Sequence, residues 1–370
     1  MRSRGAPPKQ EAAGAHARQT PAETGAAAQD RRTLPSCCGG AGGFRGGTIE
    51  AMCYSALVRQ DLHEIARRFG AQIAYEMFAQ LFRRRLDEED IKLSRALEQN
   101  FLHPRNEIEQ RIKADIEAYR ARRVAEWEKD LFTQKKRLVE AERSLSVRET
   151  RKAREDVRIA TKKIEANRTR LSDVRRTNLN EEDTRIFPLS YVPIIANLEG
   201  RLQVAPLRYT CRLAGKPASY DASFPGTYIA RRDSLGGFWA EVFGRRHAVM
   251  IINGFFENVP RHLYEHRALA PGERPANVVL QFNPRPATDM YVACVWDHWT
   301  APGAADLWSF AAVSDDPPPE IAATGHQRCL IPLKERNVTE WLAPQRAGRE
   351  RLQSILSDRE APYFEHRIAA

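Results

Sequence analysis

Apolar residues recur with the spacing of amphipathic helices directly after residue 60. The first set shares one helix face and comprises Leu62, Ile65, Ala66 and Phe69. Gly70 interrupts this pattern, which resumes at Ile73, Met77, Phe78, Leu81 and Phe82. Spacings of three and four residues predict helices that bury their apolar faces in a core.

A stretch without Gly or Pro extends between Pro104 and Pro188. Glu, Lys, Arg and Ala dominate it, and these residues favour helices. Its apolar positions recur mostly every seven residues, at Trp127, Leu131, Leu138, Leu145, Val157, Ile164 and Leu171. Because a seven-residue repeat is typical of coiled coils, residues 106–180 are predicted to form an inserted antiparallel helical hairpin. Its turn is expected between Ser144 and Thr150.

Basic residues cluster on this hairpin in two short runs, 135–137 and 162–163. A basic arm can clamp DNA, but acidic residues interleave with the basic ones along both helices. The pattern therefore favours a solvated structural arm over a DNA clamp.

Beyond Phe187 the sequence changes to short β-type runs separated by Pro, Gly and Asp. The runs are rich in aliphatic and aromatic residues and occupy 227–230, 248–252, 277–280, 290–295 and 308–313. Runs of this length and spacing predict a mainly antiparallel sheet. We therefore predict an α+β core with flanking helices, built from residues 52–105 and 181–347 and followed by a C-terminal tail, 348–370.

Residues 1–51 are rich in Ala, Gly, Arg and Pro and contain almost no large apolar residue. Such a composition cannot build a core, so we expect a disordered extension. An extension without a function of its own, of the kind that a start codon assigned too early would produce, is favoured over a nucleic-acid-binding tail. No apolar stretch approaches the roughly 18 residues that span a bilayer, and no signal segment is visible, so we expect a cytoplasmic protein.

The chain carries 58 Lys and Arg against 48 Asp and Glu, a formal net charge of +10, with an isoelectric point near 9.4. This balance favours a polyanionic partner, with nucleic acid as the first candidate, although solvated helix faces also produce it. The six cysteines form no C-x-x-C pair and no Cys/His cluster with zinc spacing. We therefore expect reduced thiols, no metal site and no cofactor.

Seven short motifs follow one another along the chain. They are Met52-Cys53-Tyr54-Ser55-Ala56-Leu57, Pro206-Leu207-Arg208-Tyr209, Tyr228-Ile229-Ala230-Arg231-Arg232-Asp233, Asn253-Gly254-Phe255-Phe256-Glu257, Ala293-Cys294-Val295-Trp296, Gly325-His326-Gln327-Arg328 and Glu340-Trp341-Leu342-Ala343-Pro344. In this order they resemble the SOS response-associated peptidase family, apart from the helical hairpin. The resemblance implies a monomeric, nucleoid-associated DNA-repair protein that captures abasic sites in single-stranded DNA.

The family's reactive cysteine directly follows a methionine, as Cys53 follows Met52 here. Once Met52 is removed, Cys53 carries an α-amine and a thiol on adjacent carbons, with ordinary pKa values of about 7.7 to 8.0 and about 8.5. The amine can condense with the aldehyde of a ring-opened abasic sugar, and the thiol can then close a thiazolidine ring. The resemblance thus implies a self-processing peptidase with lyase or crosslinking activity at abasic sites.

The resemblance assigns roles to five further residues. Glu257 matches the glutamate that moves protons during loss of water. His326 matches the histidine that assists sugar ring opening and reversal, a task that suits its ordinary pKa of about 6.5. Arg231 and Arg208 are expected to hold phosphates, and Tyr209 is expected to stack on an exposed base.

Two positions depart from the family pattern. Ile229 stands where the family has Asn, and its side chain cannot make the hydrogen bonds that orient the cysteine and the sugar. Crosslinking is therefore expected to be slowed or lost. Asn258 replaces an aromatic residue, and we expect a smaller effect from the lost stacking surface.

Two alternative functions are open. The first is a single-stranded DNA-binding protein that no longer crosslinks because of Ile229. The second is a cysteine protease that acts in trans, which is disfavoured because no Cys/His signature is visible apart from Met52-Cys53.

Overall fold

The computed structural model describes residues 53–87 and 90–369, with only the backbone described for Cys53 and Tyr54. The predicted N-terminal extension and Met52 lie outside the described residues. The strands are β1 Cys53–Val58, β2 Gln72–Ile73, β3 Lys92–Leu93, β4 Arg185–Ile186, β5 Ser190–Leu198, β6 Arg201–Tyr209, β7 Ile229–Arg231, β8 His247–Pro260, β9 Asn277–Arg285, β10 Met290–Trp299, β11 Leu307–Asp315, β12 Cys329–Leu330, β13 Pro332–Leu333 and β14 Tyr363–Ile368.

The helices follow the predicted periodicity near the N-terminus and along the inserted hairpin. They are α1 Leu62–Phe69, α2 Tyr75–Asp87, α3 Arg95–Gln99, α4 Glu107–Val147, α5 Arg151–Arg175, α6 Tyr220–Ser223, α7 Arg261–Tyr264, α8 Pro319–Ala322, α9 Glu335–Trp341, α10 Pro344–Ala347 and α11 Arg349–Ser357. Ile73 was expected on a helix face but lies in β2, where it pairs with Val204. The α+β prediction is confirmed.

The central sheet closes on itself through five long strands. β8 pairs with both β5 and β10, while β11 joins β10 to β6, and β6 pairs with β5. Four of these five pairings are antiparallel, and only β11 with β6 is parallel. The result is a barrel-like core, as closure leaves no free edge in the ring.

Both faces of the barrel wall are buried. Along β10, Met290, Val292 and Cys294 belong to one apolar cluster, whereas Tyr291 and Ala293 belong to another. Successive strand residues point to opposite faces, so the first cluster fills the barrel and the second packs against the surrounding helices. This double burial explains why the strands read as continuous apolar runs rather than as alternating patterns.

The inserted helices α4 and α5 form the predicted antiparallel hairpin, with a turn at residues 148–150. Small and branched residues bury the seam between them: Ala141, Ala153, Ala160, Ile164 and Leu171. Asp130 accepts hydrogen bonds from Gln134 (2.9 Å) and, across the hairpin, from Asn167 (2.8 Å). These bonds lower the pKa of Asp130 and tie the two helices in one register.

The segment expected to be a C-terminal tail is part of the fold. It forms α11 and β14, and Leu352, Ile355 and Phe364 are buried. β14 extends the sheet by pairing with β9 along its whole length. The domain therefore continues beyond the predicted boundary at residue 347.

Candidate active site

Glu257 lies on the C-terminal half of β8, where that strand leaves the barrel and runs between β1 and β9. The change of partner occurs next to Gly254, where a Cβ atom would lie 2.6 Å from Asn283 Nδ2 and 3.1 Å from the Phe282 carbonyl oxygen. A side chain there would crowd both atoms, which favours glycine at this position. The Glu257 side chain is fully buried, on the same strand face as Phe255 and Val259.

His326 lies in the loop between α8 and β12. Gly325 precedes it with φ +88°, and a Cβ atom there would lie 2.7 Å from Leu263 Cβ on α7. Both facts require glycine, since it alone adopts this conformation without strain and leaves room for α7. The loop directs the His326 ring inward, and its Nε2 lies 3.2 Å from Glu257 Oε2.

Burial dominates the electrostatics of this pair. It lowers the pKa of His326 to about 4, and the nearby positive charge of Arg328 acts in the same direction. The imidazole is therefore neutral at physiological pH, whereas the ordinary pKa of about 6.5 was expected. The contact with Glu257 is therefore one between a carboxyl group and a neutral imidazole ring.

Cys53 is the first residue of β1, and its backbone lies opposite Glu257 in the antiparallel register. The register is irregular between Cys53 and Ser55. The structure therefore brings together three residues that are far apart in the sequence: the start of β1, Glu257 and His326.

Ile229 and Arg231 lie on β7, which runs parallel to β11. Ile229 faces Ala312, is 7% exposed and belongs to the same apolar cluster as Phe255. The Arg231 side chain is 48% exposed and pairs with Asp233 at 2.8 Å. Arg231 thus offers a guanidinium group to solvent, whereas Ile229 fills the barrel interior.

Arg208 and Tyr209 lie at the end of β6 in surroundings that differ from those expected. Arg208 is 12% exposed, and its guanidinium contacts Asp221 at 2.8 Å, so a phosphate would compete with a carboxylate. Tyr209 is 3% exposed and stacks on Phe310, with ring centroids 5.2 Å apart. Tyr209 belongs to the cluster that fills the barrel, so its ring provides no exposed stacking surface.

Asn258 follows Glu257 directly and therefore points to the opposite face of β8. It is half-buried and lies opposite Val279 on β9. An aromatic side chain at this position would thus stand on the face of the strand away from Glu257.

Two polar residues near the site gave no signal in the sequence. Ser314 lies opposite Arg231, is 1% exposed, and its Oγ has no hydrogen-bond partner within residues 53–87 and 90–369. Arg328 is half-buried two residues after His326 and lowers the pKa of that histidine. A serine in a strand and an arginine in a loop are common in any sequence. Only their positions in the structure identify them as part of the site.

The sequence model of one family, described as SOS response associated peptidase (SRAP), matches residues 148–368, more than half of the chain. The chain belongs to the SOS response-associated peptidase family. The predicted family is thereby confirmed. The matched part of the SRAP protein includes Glu257 and His326 and begins after Cys53.

Three solved structures are similar to half of this SRAP chain. A protein from Bacteroides thetaiotaomicron is 14% identical, with a TM-score of 0.40, covering 50% of this chain and 77% of that chain. A protein from Bordetella bronchiseptica is 15% identical, with a TM-score of 0.40, covering 50% and 87%. A phage-related protein from the same organism is 16% identical, with a TM-score of 0.38, covering 50% and 80%. The chain has no significant match among curated proteins.

Helices capable of crossing a membrane, by length and apolar character, are absent from the described part of the SRAP chain. Within residues 53–87 and 90–369, no group of three His, Cys, Asp or Glu side chains is placed to hold a metal ion.

Acid should destabilise the folded protein through two buried histidines. Burial lowers the pKa of His247 to about 3 and that of His326 to about 4. The unfolded chain binds these protons near pH 6.5 and the folded chain does not, so the free energy of unfolding falls as the pH drops from about 6.5 towards 4. Between pH 7 and 5 we expect a loss of roughly 2 kcal/mol for each histidine, measured by urea unfolding. His326→Gln should remove about half of this pH dependence; an unchanged dependence would contradict the assignment.

Proposed function

We propose that this SRAP protein forms a covalent thiazolidine crosslink with abasic sites in single-stranded DNA through Cys53, once the α-amine of that residue is free. The proposal rests on the proximity of three segments that are far apart in the sequence. The backbone of Cys53 lies opposite Glu257, and Glu257 Oε2 lies 3.2 Å from His326 Nε2. A nucleophilic amine, a carboxyl group and a neutral imidazole are the groups that this condensation needs.

The crosslink forms in two bond-making steps. The Cys53 amine attacks the aldehyde carbon of the ring-opened sugar and gives a carbinolamine, which loses water when a proton reaches its hydroxyl group. The thiol then adds to the C=N bond, and the thiol proton passes to the nitrogen. We assign the proton transfers to Glu257, because its buried carboxyl group is held beside the register position of Cys53.

His326 suits the preceding step, in which the closed sugar opens. Opening removes a proton from the anomeric hydroxyl group and returns one to the ring oxygen. A neutral imidazole can accept the first proton and donate the second, and the lowered pKa keeps His326 neutral at physiological pH. The same transfers run backwards when the crosslink is reversed.

Single-stranded DNA is the proposed partner on two further grounds. The chain has a formal net charge of +10, and Arg231 exposes its guanidinium near Ser314. A phosphate that displaces Asp233 would form charge-assisted hydrogen bonds with Arg231. Arg208 is the weaker candidate, since it would have to leave the less exposed Asp221. We also propose that the protein is monomeric and nucleoid-associated, acts in the DNA damage response and exposes its own Cys53.

The decisive assay is covalent capture. A chain that begins at Cys53 is incubated with an oligonucleotide that contains one abasic site, then boiled and run on a denaturing gel. A shifted band that the Cys53→Ala variant lacks supports crosslinking. Binding without this band favours the second candidate, a DNA-binding protein that no longer crosslinks, which the apolar Ile229 motivates. Cleavage of an unrelated protein substrate would instead support a protease that acts in trans.

Replacing Ile229 by Asn should accelerate crosslinking. Ile229 belongs to the apolar cluster that contains Phe255 and Val259, the residues on the strand face of Glu257, and its methyl groups cannot orient an amine or a sugar. One restored hydrogen bond to a reacting group is worth about 1 to 3 kcal/mol, which corresponds to roughly a five-fold to hundred-fold faster reaction.

The rate of adduct formation at saturating DNA measures this effect. Ile229→Val is the matched control, since it changes the packing without adding a polar group, and it should leave the rate within about two-fold of the original. An Asn variant that folds but reacts at the original rate would show that another group orients the reactants.

A further inference from the structure

A cavity of about 380 Å³ lies at the base of the helical arm, between α3, α4, α5 and the turn at Glu181–Thr184. Six arginines and three carboxylates line it, an excess of three positive charges. The cavity is separate from the Glu257 and His326 pair, neither of which lines it. A concave site with this charge favours an anion.

The carboxylates of the cavity are already engaged. Glu98 accepts from Arg120 at 2.7 Å and also contacts Arg85. Asp183 is held by two nitrogens of Arg176, at 2.6 and 2.9 Å. These pairs occupy Arg85, Arg120 and Arg176, so the positive charge of the cavity remains in excess.

Arg95, like Arg170, lines the cavity without a paired carboxylate among the described residues. Within the described residues its guanidinium donates to the backbone carbonyl of Asp173 and makes no ion pair. Burial and the charge of Arg176 lower the pKa of Arg95, which shows that its positive charge stands in unfavourable surroundings. A bound anion would relieve both effects.

An aromatic side chain stands beside this charge. The Trp127 ring lies 5.2 Å from the Arg123 guanidinium, and both residues line the cavity. The indole N–H of Trp127 is buried and has no acceptor in the part of the chain that the structure describes. A buried donor without a partner is costly, and a ligand oxygen or nitrogen would satisfy it. Phosphate affinity combined with an aromatic surface is the chemistry that recognises a nucleotide.

The cavity is connected to the candidate active site at Cys53 through a short stretch of chain. Asp183 lines the cavity, and Arg185, two residues later, donates from Nε to Ser55 Oγ at 3.1 Å. Ser55 is two residues from Cys53, and two strand residues span about 7 Å. One DNA strand can therefore reach both places.

The arm beyond the cavity has a charge that suits the same ligand. Residues 129–163 contain twelve Lys and Arg against six Asp and Glu. Lys129, Lys135 and Lys136 are exposed on α4 next to Phe132, which is 74% exposed. Basic residues with an interleaved aromatic are typical of surfaces that bind single strands.

We propose that the cavity at the base of the arm is a second nucleotide-binding site, which holds a phosphate of single-stranded DNA on Arg95 and the adjoining base against Trp127. The identity of the strand rests on the proposed function. The site anchors undamaged DNA next to the abasic position and gives the inserted arm a role as a DNA contact.

Affinity for undamaged DNA tests this site without any covalent step. The protein begins at Cys53 and carries Cys53→Ala, and binding is measured by fluorescence anisotropy over a salt series. Arg95→Gln should weaken binding to an oligonucleotide of about 20 nucleotides by roughly three-fold to ten-fold and reduce the salt slope by about 0.7. Trp127→Leu should weaken it by about five-fold or more, because one stacked base is lost.

Arg201→Gln is the matched control, because it removes one exposed positive charge from the start of β6, outside the cavity. It should change affinity by less than about two-fold, in line with an unpaired surface charge. Thermal unfolding shows whether each variant folds. If Arg95→Gln does not fold, Trp127→Phe tests the cavity by a milder change, since it keeps an aromatic ring but loses the indole N–H.

Three outcomes would overturn the proposal. The first is unchanged affinity in both Arg95→Gln and the Trp127 variants. The second is an equal loss of affinity in the Arg201→Gln control, which would show that the effect comes from net charge and not from the cavity. The third is binding of dTMP or inorganic phosphate that requires Arg95 while DNA affinity does not, because the cavity would then serve a free ligand. Failure of the covalent assay alone would not affect this result, since no adduct is measured here.

Discussion

A chain that begins at Cys53 should crosslink abasic single-stranded DNA, whereas a chain with an intact Met52–Cys53 peptide bond should form no heat-stable adduct. The nitrogen of an internal cysteine is an amide, and its lone pair is delocalised into the carbonyl group. It cannot condense with an aldehyde. A free amine with an ordinary pKa of about 7.7 to 8.0 is partly neutral at physiological pH and can condense.

Two proteins make the comparison. One begins at Met1, with its Met52–Cys53 bond shown to be intact by mass spectrometry, and the other begins at Met52 and loses that methionine. The expected difference is between no adduct and a heat-stable adduct. Equal rates for the two forms would show that the thiazolidine mechanism is wrong for this protein. The intact mass and N-terminal residue of the protein from its own host would show whether the chain begins at Met1 or at Cys53.

Glu257→Gln should slow crosslinking by about 100-fold or more, because general acid-base catalysis by one positioned group contributes about 10² to 10⁴. The amide has nearly the same shape as the carboxyl group, and it can keep the 3.2 Å contact with His326. It cannot carry a proton between the carbinolamine and water. Affinity for undamaged DNA should therefore stay the same while the rate of adduct formation falls.

Glu350→Gln, an exposed position on α11, is the matched control and should react at the original rate. His326→Ala should act more strongly on ring opening and on reversal than on condensation. If Glu257→Gln folds and reacts as fast as the original protein, the carboxyl group is not the proton carrier and another group near Cys53 must take that role.

Local patterns were sufficient for the elements whose stability depends on neighbours in sequence. The seven-residue recurrence predicted the arm and its turn, and the helical spacing after residue 60 predicted α1 and most of α2. The ordered motifs identified the family, which the match to residues 148–368 confirms. In each case the signal is carried by residues within a few turns of one another or by short linear motifs.

Two central strands escaped prediction because of proline. β5 and β6 carry Pro193 and Pro206, and proline argues against a strand inside a sheet because it has no N–H to donate. In the structure the two prolines lie opposite each other, and no described strand pairs with their outer edges. The missing N–H groups are thus not needed there, a condition that depends on the register of the whole barrel.

The sequence by itself determined α1, most of α2, the arm, the α+β class and the identity of the motifs that carry the chemistry. Tertiary structure alone decided that Glu257 meets His326, that Tyr209 points into the barrel and that Arg208 is held by Asp221. It also decided that the last residues complete the sheet as β14. The reason is physical: periodicity reports which face of an element is buried, but the partner on that face depends on strand register and barrel closure, which join residues far apart in the chain.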